Sequence, residues 1–212
     1  MDGSLPQIAD PERALSLAYA APGARGALAL LWTLDEQLGS IVARTDTPAV
    51  AQMRLTWWHE ALRTSRTVRP VDPLLVALAG EQRIDLESLL PLIDGWEELL
   101  EPLPLSVESL LRYADLRGGT LFAAVSRLLG GGDAREAGRL WALVDLAFRV
   151  SDRTTAERAL DLAPHARESL PRPLAILTAL ARYDRRRGLD RPRRPGSPGR
   201  VLRALAVGVT RL

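Results

Sequence analysis

At Asp10-Pro11, Thr47-Pro48 and Ser197-Pro198 a short polar residue stands directly before a proline, and a stretch of helical period follows. The polar side chain can accept from the first unpaired N–H groups of a helix, and proline lacks only an N–H that the first turn leaves free. Behind these starts, apolar residues recur at helical spacing, as in Leu28, Leu31, Trp32, Leu38 and Val42. A second stripe runs Ala51, Leu55, Trp58 and Leu62, with Val50, Trp57 and Ala61 alongside. "DLESLLPLIDGWEELLE" continues the pattern with interruptions at Pro91 and Gly95. "DAREAGRLWALVDLAFRVSD" and "LPRPLAILTALARYDRRRG" add two more helices, the latter stopped by Gly188. Strand alternation and fixed-period repeats are missing, so an all-α bundle is expected. "SVESLLRYADLRGGTLFAAVSRLLGGG" is a long helix with Gly118 and Gly119 in its middle. Each glycine costs roughly 1 kcal/mol relative to alanine in a helix, which predicts a bend or a close helix contact there.

A chain of 212 residues can bury one large core, and 47% hydrophobic with 25% charged residues suits a globular protein. The expectation is one domain over residues 1–212, with a basic linker and helix at 188–212. The basic residues are all arginine. With no cysteine, disulfides, thiolate metal sites and a cysteine nucleophile are excluded. No apolar run reaches the ~18 residues of a membrane span, and the start "MDGSLPQIADPER" carries no secretory pattern. A cytoplasmic location is expected. The net charge of +2 hides an asymmetry: ten arginines against Asp184 and Asp190 make residues 182–212 about +8 and the remainder about −6. That end is expected either to remain a solvated terminus or to engage an anionic membrane surface or an acidic partner, holding the protein peripherally at an inner membrane.

Motifs of familiar chemistry are incomplete. His59-Glu60 begins like a zinc-protease helix, but Arg63 takes the second histidine's place. The "GGG" at 130–132 lacks the lysine and preceding strand of a phosphate loop and reads as a helix stop. No elbow for a serine triad exists, and no aromatic platform or recognition motif supports nucleic-acid binding. Trp57 and Trp58 fall about 100° apart on their helix, so each can be core or cavity lining.

Four segments, in order, resemble the squalene/phytoene synthase family over most of the chain, from about residue 11 to about 187. "SLAYAAPGARGALALLWTLDEQLGSIV" resembles the family's opening into its first aspartate-rich motif, and "MRLTWWHEAL" its double-tryptophan helix. "LLRYADLRGGTLFAAVSRLLG" resembles the helix lining the family's central cavity, and "LWALVDLAFRVSD" the helix of its second aspartate-rich motif. The resemblance implies an isoprenoid-synthase-type bundle with a central apolar cavity, and it makes the double tryptophan part of the scaffold. In that family, two aspartate-rich motifs face each other and hold magnesium, which takes the diphosphate leaving group.

Placed on those motifs, this chain carries Gly39, Ser40 and Ala43 at the first set of aspartate positions. It carries Val150 and Thr154 at the second, beside a retained Arg149. The resemblance therefore implies a degenerate, non-catalytic branch, related to the mitochondrial complex I assembly factor, that acts by binding an isoprenoid-like lipid or a protein partner. No metal or other cofactor is expected. The alternative is an active prenyltransferase using displaced carboxylates, Asp35, Glu36, Asp145 and Asp152, with magnesium as its cofactor. Asp145 and Asp152, seven apart, would share one helix face and could hold a cation, or they are surface charges and caps. The residues implied to meet a ligand or its diphosphate are Arg25, Arg54, Trp58, Tyr113, Arg117, Gly119 and Arg149.

Overall fold

A computed structural model describes residues 7–45 and 47–209, and among them there is no strand. The helices run α1 (Pro11–Leu17), α2 (Arg25–Arg44), α3 (Pro48–Thr64), α4 (Pro73–Gly80), α5 (Leu90–Glu97) and α6 (Val107–Tyr113). They continue with α7 (Thr120–Leu128), α8 (Arg135–Ala147), α9 (Arg153–Leu162), α10 (Arg172–Arg187) and α11 (Pro198–Val209). Asp10 caps α1 as its position predicts, its carboxylate accepting from the N–H groups of Glu12 and Arg13. Asp72, Ser106 and Asp152 cap α4, α6 and α9 in the same way.

The expected all-α bundle is what forms, with three local corrections. Pro91 lies in the first turn of α5 rather than interrupting it, since proline is tolerated where the N–H would be unpaired anyway. The α8 helix stops at Ala147, so "LVDLAFRVSD" is not one helix. A separate helix, α9, follows it in a stretch too polar to show a strong stripe.

The long α2 is the central strut: Leu28, Leu31, Trp32, Leu34 and Leu38 are fully buried along it. Around Trp32 an aromatic cluster closes the middle of the bundle. Phe122 meets it edge-on at 6.5 Å, and Trp141 lies 5.2 Å from Phe122. Trp58 packs into the same core from α3, while Trp57 is 53% exposed and only touches Trp58 edge-to-face at 5.4 Å. The double tryptophan is therefore one packed residue and one surface residue.

Between α6 and α7 the chain forms a π-helical segment over Ala114–Gly119, an extra residue in the turn that re-aims its neighbours. Glycines allow it. A Cβ on Gly95 of α5 would lie 2.6 Å from the Arg117 backbone nitrogen, and a Cβ on Gly118 would overlap the Gly138 carbonyl of α8. The bend expected at Gly118 and Gly119 is thus a π segment pressed between α5 and α8.

Candidate functional site

That pressing drives Arg117 into the interior, where its residue is only 1% exposed. Its guanidinium reaches two carboxylates on different helices. It grips Asp35 of α2 two-pronged, with Nε 3.0 Å from Oδ1 and Nη2 2.9 Å from Oδ2. The same Nη2 lies 3.2 Å from Oδ2 of Asp145 on α8, and Nη1 donates to the Tyr113 hydroxyl. Trp96 and Trp141 sandwich the cation, their ring centroids 4.2 and 4.6 Å from its central carbon.

Each carboxylate has further donors. Asp35, fully buried, accepts from Arg13 Nη2 at 2.8 Å and from the Trp96 indole at 2.9 Å. Asp145, 2% exposed, accepts from Arg149 and Arg193, both at 2.9 Å. Burial alone would push both carboxyls up. For Asp35 the guanidinium groups of Arg117 and Arg13 outweigh it and hold the group below the usual carboxylate range. For Asp145 Arg117, Arg149 and Arg193 do the same. Both are ionised at neutral pH, and their charges are met inside the protein.

Beside this cluster lies a pocket of about 730 Å³. Leu99, Leu105, Leu146 and Val150 line its apolar side, and Asp35, Arg117, Asp145 and Arg149 its ionised side. The cavity is therefore apolar on one wall only, and the centre of the bundle is filled by the Trp32–Phe122–Trp141 cluster. Of the residues singled out from sequence, Tyr113, Arg117 and Arg149 come together on this pocket. Arg25 and Arg54 are not among its lining. Arg25 donates to the carbonyls of Ala18 and Ala20 at the entry to α2, and Arg54 is exposed and reaches Thr45. Trp58 belongs to the core, and Gly119 lies in the π segment against Asp115.

The displaced carboxylates also differ from expectation. Asp145 is neither a surface charge nor a cap; with Asp35 it forms the buried centre of the cluster. Asp152 is a cap, at the start of α9, so it shares no helix face with Asp145. Glu36 accepts from the backbone N–H groups of Ala9 and Asp10.

Sequence reasoning missed Arg13, Trp96, Arg193 and Arg200. The last two belong to the arginine-rich end, which folds back onto the bundle. Arg200 pairs with Glu12 of α1 and Asp184 of α10, and Arg193 lies 3.3 Å from Glu12 and 3.4 Å from Asp184. Pro195 joins the pocket wall. The charge asymmetry of the sequence was the available signal: a basic end and an acidic body are complementary. Of that end, Arg211 lies outside the described residues.

A magnesium ion wants about six hard oxygen ligands, supplied mainly by carboxylates and water. Gly39, Ser40, Ala43 and Val150 line the pocket without offering one carboxylate, and Thr154 lies exposed on α9 outside it. A side chain at position 39 would also find its space taken, since a Cβ there would lie 2.8 Å from the Trp96 ring. The carboxylates that are present already have arginine partners. Among the described residues no group of three histidine, cysteine, aspartate or glutamate side chains is arranged to hold a metal. The donor set does not fit magnesium.

The family model for squalene/phytoene synthase matches residues 8–159. It spans Arg13, Asp35, Arg117 and Asp145, while Arg193 and Arg200 lie beyond it. No curated protein and no solved structure matches the chain.

Proposed function

This chain belongs to the squalene/phytoene synthase family, and on that premise we propose that it is a degenerate member, which holds an isoprenoid-like lipid in its pocket without magnesium-dependent condensation. The observation that carries this reading is the bridge Asp35–Arg117–Asp145. Ionising an allylic diphosphate requires the developing charge to be neutralised by metal or by fixed donors. Here the nearest carboxylates are committed to arginines, and those arginines are committed to the carboxylates. An active prenyltransferase with displaced carboxylates would have to break the bridge before Asp35 or Asp145 could meet a metal.

A binding role suits a protein that passes a lipid to a partner or acts beside one, as an assembly factor does. No helix among the described residues is long and apolar enough to cross a membrane. A cytoplasmic setting with peripheral membrane contact is part of the same reading. Arg191, Arg194 and Arg203 are exposed on the C-terminal end and available to an anionic surface.

Incubation of the purified protein with farnesyl or geranylgeranyl diphosphate and magnesium, followed by extraction, tests the loss of catalysis. Neither squalene nor phytoene is expected above the no-protein control, and magnesium is expected to leave the melting temperature unchanged. Either product would overturn the reading.

A further inference from the structure

The charges around the pocket cancel. Its lining cations are Arg13, Arg44, Arg117 and Arg149, and its lining carboxylates are Asp10, Asp35, Glu36 and Asp145. Three of the four arginines are ion-paired to that carboxylate set: Arg13 to Asp35, Arg117 to Asp35 and Asp145, and Arg149 to Asp145 and Asp10. Among the described residues only Arg44, exposed at the end of α2, lines the pocket with no ion pair. The layer behind is balanced as well, Arg193 and Arg200 against Glu12 and Asp184. A diphosphate entering here would lose its hydration and find no net positive charge among the lining groups to replace it.

From this cancellation we infer that the pocket takes an uncharged lipid, an apolar chain ending in a hydroxyl or carbonyl oxygen, and discriminates against the corresponding diphosphate. The inference rests on the proposed lipid-binding role and narrows it to a head group. The apolar wall accommodates the chain. Tyr113 supplies a neutral polar contact: its hydroxyl accepts from Arg117, and among the described residues it has no acceptor for its own proton. Burial pushes the phenol up to about 12, so the O–H is present at neutral pH. Such an O–H suits one neutral oxygen, whereas a diphosphate would need a net positive field to replace its hydration.

Titration calorimetry on the full chain tests this with farnesol and geranylgeraniol against their diphosphates, each with and without magnesium. The alcohols are expected to bind at least ten-fold more tightly than the matching diphosphates, with no effect of magnesium on either. Diphosphate binding as tight as the alcohol's would overturn the neutral-ligand inference while leaving a lipid site in place. Binding of neither would overturn the lipid-binding role, and the inference with it. Glu36→Gln provides a second arm, because it removes one lining carboxylate and leaves the pocket with a net positive charge. It should shift the diphosphate-to-alcohol affinity ratio several-fold toward the diphosphate. An unchanged ratio would show that charge balance is not what discriminates, which also sinks the inference.

Discussion

Gly118 of the π segment and Gly138 of α8 meet backbone against backbone, so that a Cβ on either would overlap the carbonyl group of the other. No flexible side chain stands in the way to be displaced, and relief requires the two helices to separate. Gly118→Ala is therefore expected to destabilise the fold by about 3 kcal/mol or more, the upper end for overpacked cores. Gly26→Ala, in α2 with open space around it, should be neutral or stabilising by up to ~1 kcal/mol. Urea unfolding of both variants checks the contrast, and equal effects would contradict it.

Removing the bridging cation should be severe. Arg117→Ala leaves Asp35 and Asp145 buried with part of their compensation gone, a change that typically costs about 3–5 kcal/mol. Arg117→Lys is expected to recover little, because one ammonium cannot reproduce a two-pronged grip on Asp35 together with a bond to Asp145. Denaturant midpoints of the two variants test this. A lysine variant as stable as the parent would mean that charge alone matters there.

Stability should fall steeply in acid. Asp35, Asp145 and Glu12 all have carboxyl groups held below their ordinary range by arginines that outweigh the effect of burial. A folded pKa below the unfolded value means that the unfolded chain binds more protons in acid. The stabilisation is then complete above the unfolded values of ~3.9 for aspartate and ~4.3 for glutamate, and drains away below them. Melting temperature should stay level from pH 7 to about 5 and drop sharply below about 4. A profile that stays flat through pH 3 would refute the assignment.

Restoring one family aspartate should not restore a metal site. Gly39→Asp must displace the Trp96 ring, which donates to Asp35 and stacks on Arg117. The variant is expected to be less stable by about 1–3 kcal/mol. It should also show no magnesium-dependent rise in melting temperature. Such a rise would show that Trp96 yields easily and that the pocket is closer to a metal site than its donors indicate.

The helices were legible because their signals are local. The Asp10 cap with Pro11, and the stripes through Leu28–Leu38 and Ala51–Leu62, each declare themselves within a few turns. The failures came where local rules compete: proline can begin a helix as readily as end one, as at Pro91, and α9 has too few apolar residues to stand out. For the site, the resemblance to the family's motifs pointed to Tyr113, Arg117 and Arg149, and these three do meet on the pocket. Arg25 and Arg54 show that a matching position does not fix where a long side chain points. The buried role of Asp35 was not legible, because nothing in its own helix announces Arg117, 82 residues on. Partnerships of that range leave only a statistical trace, here the opposed charges of the two parts of the chain.

Arg200 finds Glu12 across a sequence separation of 188 residues. Loop closure over such a separation is slow, and contacts of high sequence separation form late in folding. During synthesis, Glu12 and Asp145 must therefore emerge and wait, charged and without Arg200 or Arg193, until nearly the whole described chain has left the ribosome. The earlier helices can collapse around Trp32 in that interval, but the layer of Arg193 and Arg200 against Glu12 and Asp184 is closed last. The closed ion-pair layer behind the pocket is thus a mark of completion, absent from any nascent chain that stops short of residue 200.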